Sequence, residues 1–123
     1  MTGAIRVLIA DDSFDVRLIV RMRLEKDERF TVIAEATNGV EAVEMTKEHL
    51  PDVIVLDLGM PMMDGLEALP LIREAHPDVK IAILSGFPAE KVKPQALTLG
   101  ANMYLEKSDS LSKLGDHLYS MAG

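Results

Sequence analysis

Five short runs of β-branched and aliphatic residues alternate along the chain with five amphipathic stretches. The runs cover residues 6–10, 31–37, 52–56, 80–85 and 102–106. Residues 53–56 and 81–84 are apolar without interruption, the pattern of strands covered on both faces of a parallel sheet. The run 31–37 carries more polar residues and suits a sheet edge. Between the runs lie helical patterns. Phe14, Leu18, Ile19 and Met22 share one face of a helix predicted over 14–26. Asn38 and Glu41 have the spacing of a capping box ahead of a stripe of Val40, Val43 and Leu50. Leu66, Leu69 and Ile72 form a third stripe, and Leu111, Leu114, Leu118 and Met121 a last one close to the C-terminus. Strands alternating with helices at this spacing imply βαβ units. Right-handed crossovers then restrict the fold to the α/β class, one doubly wound, five-stranded parallel sheet in a three-layer sandwich, for which the order 2-1-3-4-5 is expected.

Two prolines test the helix assignments. Pro70 is expected near the first turn of the third helix, where its missing N–H costs little. Pro94 would fall inside a helix starting at Pro88, at a cost of about 3 kcal/mol. The fourth helix is therefore expected to start late, near Pro94, or to kink there.

A doubly wound sheet opens its ligand crevice at the carboxyl ends of the strands, where the strand order reverses. Here that point lies between strands one and three. Asp11 and Asp12 follow strand one, Asp57 follows strand three, Ser85 ends strand four and Lys107 follows strand five. Each has a plain structural alternative. Asp11 or Asp12 is a natural helix N-cap, Ser85 a turn residue, Lys107 a solvated charge and Asp57 the start of a turn with Gly59 and Pro61. The functional reading rests on their coincidence at one rim. Three clustered carboxylates repel one another unless a cation sits among them.

Composition narrows the chemistry. At 123 residues the chain has room for one domain with a real core, expected to span 1–123. The 48% hydrophobic and 27% charged residues are those of a globular chain. There is no cysteine, hence no disulfide framework and no thiolate metal site. No signal-peptide pattern and no run long enough for a membrane span is present, so a cytoplasmic location is expected. A net charge of −7 argues against direct nucleic-acid binding, and three Phe with two Tyr leave no base-stacking surface. The three histidines lack ligand spacing with a carboxylate, and the eight methionines read as core filler.

Asp11-Asp12, Asp57 with Met60-Pro61 and Met63-Asp64-Gly65, Ser85-Gly86, Gly100-Ala101 and Lys107 together resemble the receiver domains of two-component response regulators. The resemblance covers essentially the whole chain and implies a flavodoxin-like fold. The tail 104–109 looks most like the subfamily with a C-terminal helix-turn-helix. The resemblance makes Asp57 the phosphoacceptor, charged by a sensor histidine kinase. It makes Asp11, Asp12, Asp57 and the Gly59 backbone carbonyl the ligands of Mg²⁺. Ser85 and Lys107 would contact the phosphoryl group, and Ser85 and Tyr104 would act as switch residues. The domain would accept a phosphoryl group with only limited catalysis of its own, and the readout face would be helix four, strand five and helix five, which is also one possible homodimer face. The family usually has Pro after its lysine, often with a cis peptide, where this chain has Ser108. Either the loop is rearranged or strain is stored there. Gly59 and Phe87, two residues past Asp57 and Ser85, are expected to tune hydrolysis, with Phe87 shielding the phosphoryl group.

Other readings need features the chain lacks. A flavin-binding protein of this topology needs a Ser/Thr/Gly-rich loop after strand one, where Asp11-Asp12 would repel a phosphate. A two-aspartate phosphatase needs a second Asp at position 59, which is Gly. A stand-alone receiver and a phosphorylation-independent interaction module remain alternatives to the N-terminal part of a transcription factor with a C-terminal output domain.

Overall fold

The computed structural model describes residues 3–122, apart from the side chain of Asp109. The outermost residues of the predicted 1–123 domain, and that side chain in the 104–109 tail, lie outside the described residues. Five strands, β1 (Ile5–Ala10), β2 (Phe30–Ala36), β3 (Val53–Leu56), β4 (Lys80–Ser85) and β5 (Met103–Glu106), form one parallel sheet in the order 2-1-3-4-5. The helices are α1 (Phe14–Glu25), α2 (Gly39–His49), α3 (Gly65–Ala75) and α4 (Ala89–Thr98). The last helical stretch is broken: a short α5 (Lys107–Ser110), a 3-10 turn (Leu111–Lys113) and α6 (Leu114–Ala122).

The side-chain period of two along each strand splits the core into two layers. Leu8, Ala10, Ile54, Leu56, Ile81 and Ile83 pack with residues of α2, α3 and α4. Val7, Ile9, Val53, Val55, Ala82 and Leu84 pack with α1 and α6 through Val20, Leu24, Leu114 and Leu118. Both faces of the central strands are covered, as their unbroken apolar runs require.

Four helix expectations change. In α1 the buried residues are Val20 and Leu24, with Val16 packed beside them. The predicted face is instead in solvent: Phe14 is 65% exposed and Met22 48%, with Leu18 and Ile19 also exposed. α1 carries two apolar stripes, and its polar residues choose between them. Arg17 and Arg21, one turn apart, both bind Glu35 of the edge strand β2, which rotates the Val16-Val20-Leu24 stripe onto the sheet. In α2, Asn38 does accept the Glu41 N–H, but the Glu41 carboxylate turns to the N–H and hydroxyl of Thr37. Leu50 ends that helix in a left-handed conformation and points outward. The reciprocal capping box belongs to α3, between Asp64 and Glu67.

The prolines correct the other two. Pro70 and Pro94 are each the sixth residue of their helix, and α4 runs through Pro94 from Ala89 to Thr98. Both prolines face solvent, where water can satisfy the carbonyl that loses its partner. The first turn of α4 is held from outside, because the Ala89 N–H donates to the Glu106 carboxylate (2.7 Å). The N-cap, Pro88, makes no side-chain capping hydrogen bond.

Candidate functional site

The acid pocket forms where β1 and β3 diverge. In-register pairing of Ala10 with Leu56 places the residues that follow, Asp11 and Asp57, side by side. The Asp57 N–H donates to the Ala10 carbonyl (2.9 Å), and the Asp11 N–H to that of Ala36 (3.1 Å). Both carboxylates are nearly buried, whereas Asp12 is exposed. Carboxylate oxygens of Asp11, Asp12 and Asp57 lie within 4.8 Å of one another. The N-cap of α1 is Ser13, so capping is not what either aspartate does there. The Asp11 carboxylate does accept the Ser13 N–H at 2.8 Å.

Lys107 reaches in from the end of β5, with Nζ 2.9 Å from Asp11 Oδ2 and 3.4 Å from Asp57 Oδ1. Burial opposes its charge, but the two aspartates outweigh that and hold its pKa above the ordinary lysine value. Burial, and then the neighbouring Asp11 charge, push the Asp57 carboxyl up; Lys107 and the Gly59 N–H pull it down. Three carboxylates thus face one ammonium, an excess of negative charge built from hard oxygen donors. Such a set suits a small divalent cation that keeps several of its waters. The pocket is able to hold Mg²⁺.

The β4–α4 loop forms the opposite wall. Ser85 is fully buried and its Oγ accepts the Phe87 N–H (3.0 Å), so in this structure it plays the turn role. Tyr104 lies inward, 7% exposed, and its hydroxyl donates to the Phe87 carbonyl (2.8 Å). The Phe87 ring is half-exposed and rests against Gly59, where an added Cβ would meet ring carbons at 3.7 and 3.9 Å. Phe87 and Gly59 also line an open cleft of about 410 Å³ with Leu58, Met60, Leu66 and Val92. A larger depression of about 600 Å³ lies away from the acids, between α1 and the C-terminal helices. After Lys107 the chain enters α5 directly, and no cis peptide occurs among the described residues.

Three contributors were given no role at the site from the sequence, although Gly65 stands in the motif Met63-Asp64-Gly65. Gly65 lets α3 start against the backbone of Asp57: a Cβ there would lie 2.2 Å from the Asp57 carbonyl oxygen. Gly39 does the same for the Met63 carbonyl, to which its N–H also donates (2.9 Å). Arg17 donates to the backbone carbonyl of Asp11 (2.7 Å). The glycines each open a helix, and that N-terminal position is the signal that could have found them.

Comparison with known proteins agrees with this geometry. The family model described as the response regulator receiver domain matches residues 7–119. This chain belongs to that family. The receiver is 40% identical over 109 residues to the transcriptional regulatory protein YdfI of Bacillus subtilis, covering 89% of this chain and 51% of YdfI. It is 38% identical over 102 residues to the chemotaxis protein CheY of the same organism, covering 83% and 84%. Among solved structures, the receiver domain of NarL from Mycobacterium tuberculosis superposes with a TM-score of 0.91 at 30% identity, over 98% of this chain and 97% of that one. The receiver spans about half the length of the transcriptional regulators it matches. It is a receiver domain of a two-component response regulator, and no described helix is long and apolar enough to cross a membrane.

Proposed function

We propose that Asp57 accepts a phosphoryl group from the phosphohistidine of a sensor kinase, in a Mg²⁺-dependent step, in the cytoplasm. The observation that carries this reading is the convergence of Asp11, Asp12, Asp57 and Lys107 on one point. An Asp57 carboxylate oxygen attacks phosphorus in line, an acyl phosphate forms, and the electron pair of the broken bond leaves with the donor nitrogen. Asp11, Asp12, Asp57 and the Gly59 carbonyl would hold Mg²⁺, which when bound neutralises charge on the phosphoryl oxygens. Lys107 supplies a second positive group on the other side, with its ammonium already beside Asp57. Catalysis here is positioning and charge compensation, and the domain is a phosphoacceptor first.

The acyl phosphate brings roughly −1.5 to −2 charges and three acceptor oxygens. Ser85 Oγ turns to one of them and releases the Phe87 N–H, and Tyr104, already inward with its hydroxyl on the Phe87 carbonyl, switches with that loop. The loop between β4 and α4 is thereby re-set, and the change passes to the face of α4, β5 and α6. A DNA-binding output domain following the receiver is the reader this reading favours. The exposed apolar side chains of α1, starting at Phe14 beside the acids, offer the phosphodonor protein a surface next to Asp57.

Incubation with acetyl phosphate, with and without Mg²⁺, followed by intact mass tests the reading. A Mg²⁺-dependent gain of one phosphoryl group, lost in Asp57→Asn, is expected. No gain in wild type, or an equal gain in Asp57→Asn, overturns it.

A further inference from the structure

The turn that carries Asp11 and Asp12 is held by a residue outside the acid pocket. Arg17 Nη1 donates to the Asp11 carbonyl (2.7 Å), and Arg17 Nε to Glu35 Oε1 (3.0 Å). The guanidinium is itself nearly enclosed, its side chain 12% exposed. Glu35 is gripped from its other oxygen by Arg21, so the fork cannot swing away without leaving a partly buried carboxylate. The carbonyl it holds belongs to the peptide joining Asp11 to Asp12. Rotation of that peptide plane would move the Asp12 carboxylate relative to Asp11 while leaving β1 in place.

From this geometry we infer that Arg17 is a positioning residue for the divalent-ion ligands: its fork sets the Asp11–Asp12 peptide and so pre-aligns the two carboxylates. The inference rests on the phosphoacceptor reading only for the identity of the ion. Groups that orient metal ligands without touching the metal typically change affinity by about 10–100-fold when removed. The opposite sign is available to a purely electrostatic effect. Arg17 is a cation near a cation site, and deleting its charge alone would tighten Mg²⁺ binding. Lysine keeps the charge but cannot reproduce the planar fork that serves Glu35 and the carbonyl together.

The experiment is Mg²⁺ titration of the unphosphorylated protein, without phosphodonor, read by calorimetry and by the Mg²⁺-dependent shift in Tm. Arg17→Met is expected to weaken Mg²⁺ binding about tenfold, and Arg17→Lys by less. Glu35→Gln, which loosens the far end of the fork, is expected to weaken binding by less than Arg17→Met does. Unchanged or tighter binding by Arg17→Met overturns the inference. If Arg17→Met does not fold, Arg17→Lys decides, and wild-type affinity in that variant overturns the inference. Wild-type protein that binds no Mg²⁺ overturns the phosphoacceptor reading as well, whereas loss of the Arg17 effect alone leaves that reading standing.

Discussion

On the β3 side of the acid pocket the chain is packed backbone against backbone, while on the β4 side it hangs from side-chain hydrogen bonds. Gly65 and Gly39 bring two helix starts onto the carbonyls of Asp57 and Met63, closer than any side chain would permit. Across the pocket, Gly86 has nothing within 4 Å of where a Cβ would lie. The segment from Ser85 to Ala89 is fastened by Ser85 Oγ, the Tyr104 hydroxyl and the Glu106 carboxylate. Close packing resists small displacements, because every shift meets an atom. Hydrogen bonds to side chains can be exchanged one for another. The first wall therefore suits holding a nucleophile and an ion, and the second suits answering a new phosphoryl group.

The sharpest way to break this contrast is a pair of alanines. Gly65→Ala should lose about 3 kcal/mol in urea unfolding, since its methyl group meets backbone that has nowhere to go. Gly86→Ala should stay within about 0.5 kcal/mol of wild type. Comparable losses at both positions would erase the distinction.

A smaller effect should follow from freeing α4. Glu106→Ala removes the carboxylate that accepts the Ala89 N–H and should cost about 1 kcal/mol, the usual value of a lost cap. Amide exchange should quicken at residues 89–92 and not in α3, whose own Asp64–Glu67 box is intact. Unchanged exchange at 89–92 would mean that the turn is held by something else.

Phe87 bridges the two walls through its contact with Gly59. Phe87→Ala should shorten the half-life of the phosphorylated protein about threefold, under 1 kcal/mol of barrier, followed as loss of the added mass over time. A longer half-life would show that the ring admits water rather than shielding the phosphoryl group.

The least effect is expected far from the pocket, where Arg29 pins Asp27 and reaches Asp116 of α6. The side-chain hydrogen bonds from Arg29 hold the Asp27 carboxyl below its ordinary range. A depressed carboxylate pKa stabilises the fold above the unfolded value, near 4, and that gain is lost as pH falls through the lower folded value. Asp27→Asn should therefore cost under about 1 kcal/mol at pH 7, because the pair is partly solvated. The difference from wild type in chemical denaturation should shrink toward zero in acid. A gap that persists at pH 2–3 would assign the effect to packing beside Gly115.

Asp11, Asp12, Asp57 and Lys107 could be placed on one rim from the sequence because each ends or follows a strand whose apolar run is unmistakable. The doubly wound topology followed from the alternation of those runs with helical stretches, and the structure has the expected order 2-1-3-4-5. Helix faces were less legible. α1 has two apolar stripes of similar length, and the choice of the inner one goes with the grip of Arg17 and Arg21 on Glu35, 14 to 18 residues away. The late start expected for α4 failed for a related reason: propensity is local, whereas the carboxylate that holds the start of α4 comes from Glu106 of β5. What the chain determined alone was the period and punctuation of its elements, which depend on neighbouring residues. Which stripe is buried, which glycine must lack a Cβ and which arginine holds the Asp11 carbonyl were decided by tertiary contacts, because those energies exist only once distant segments meet.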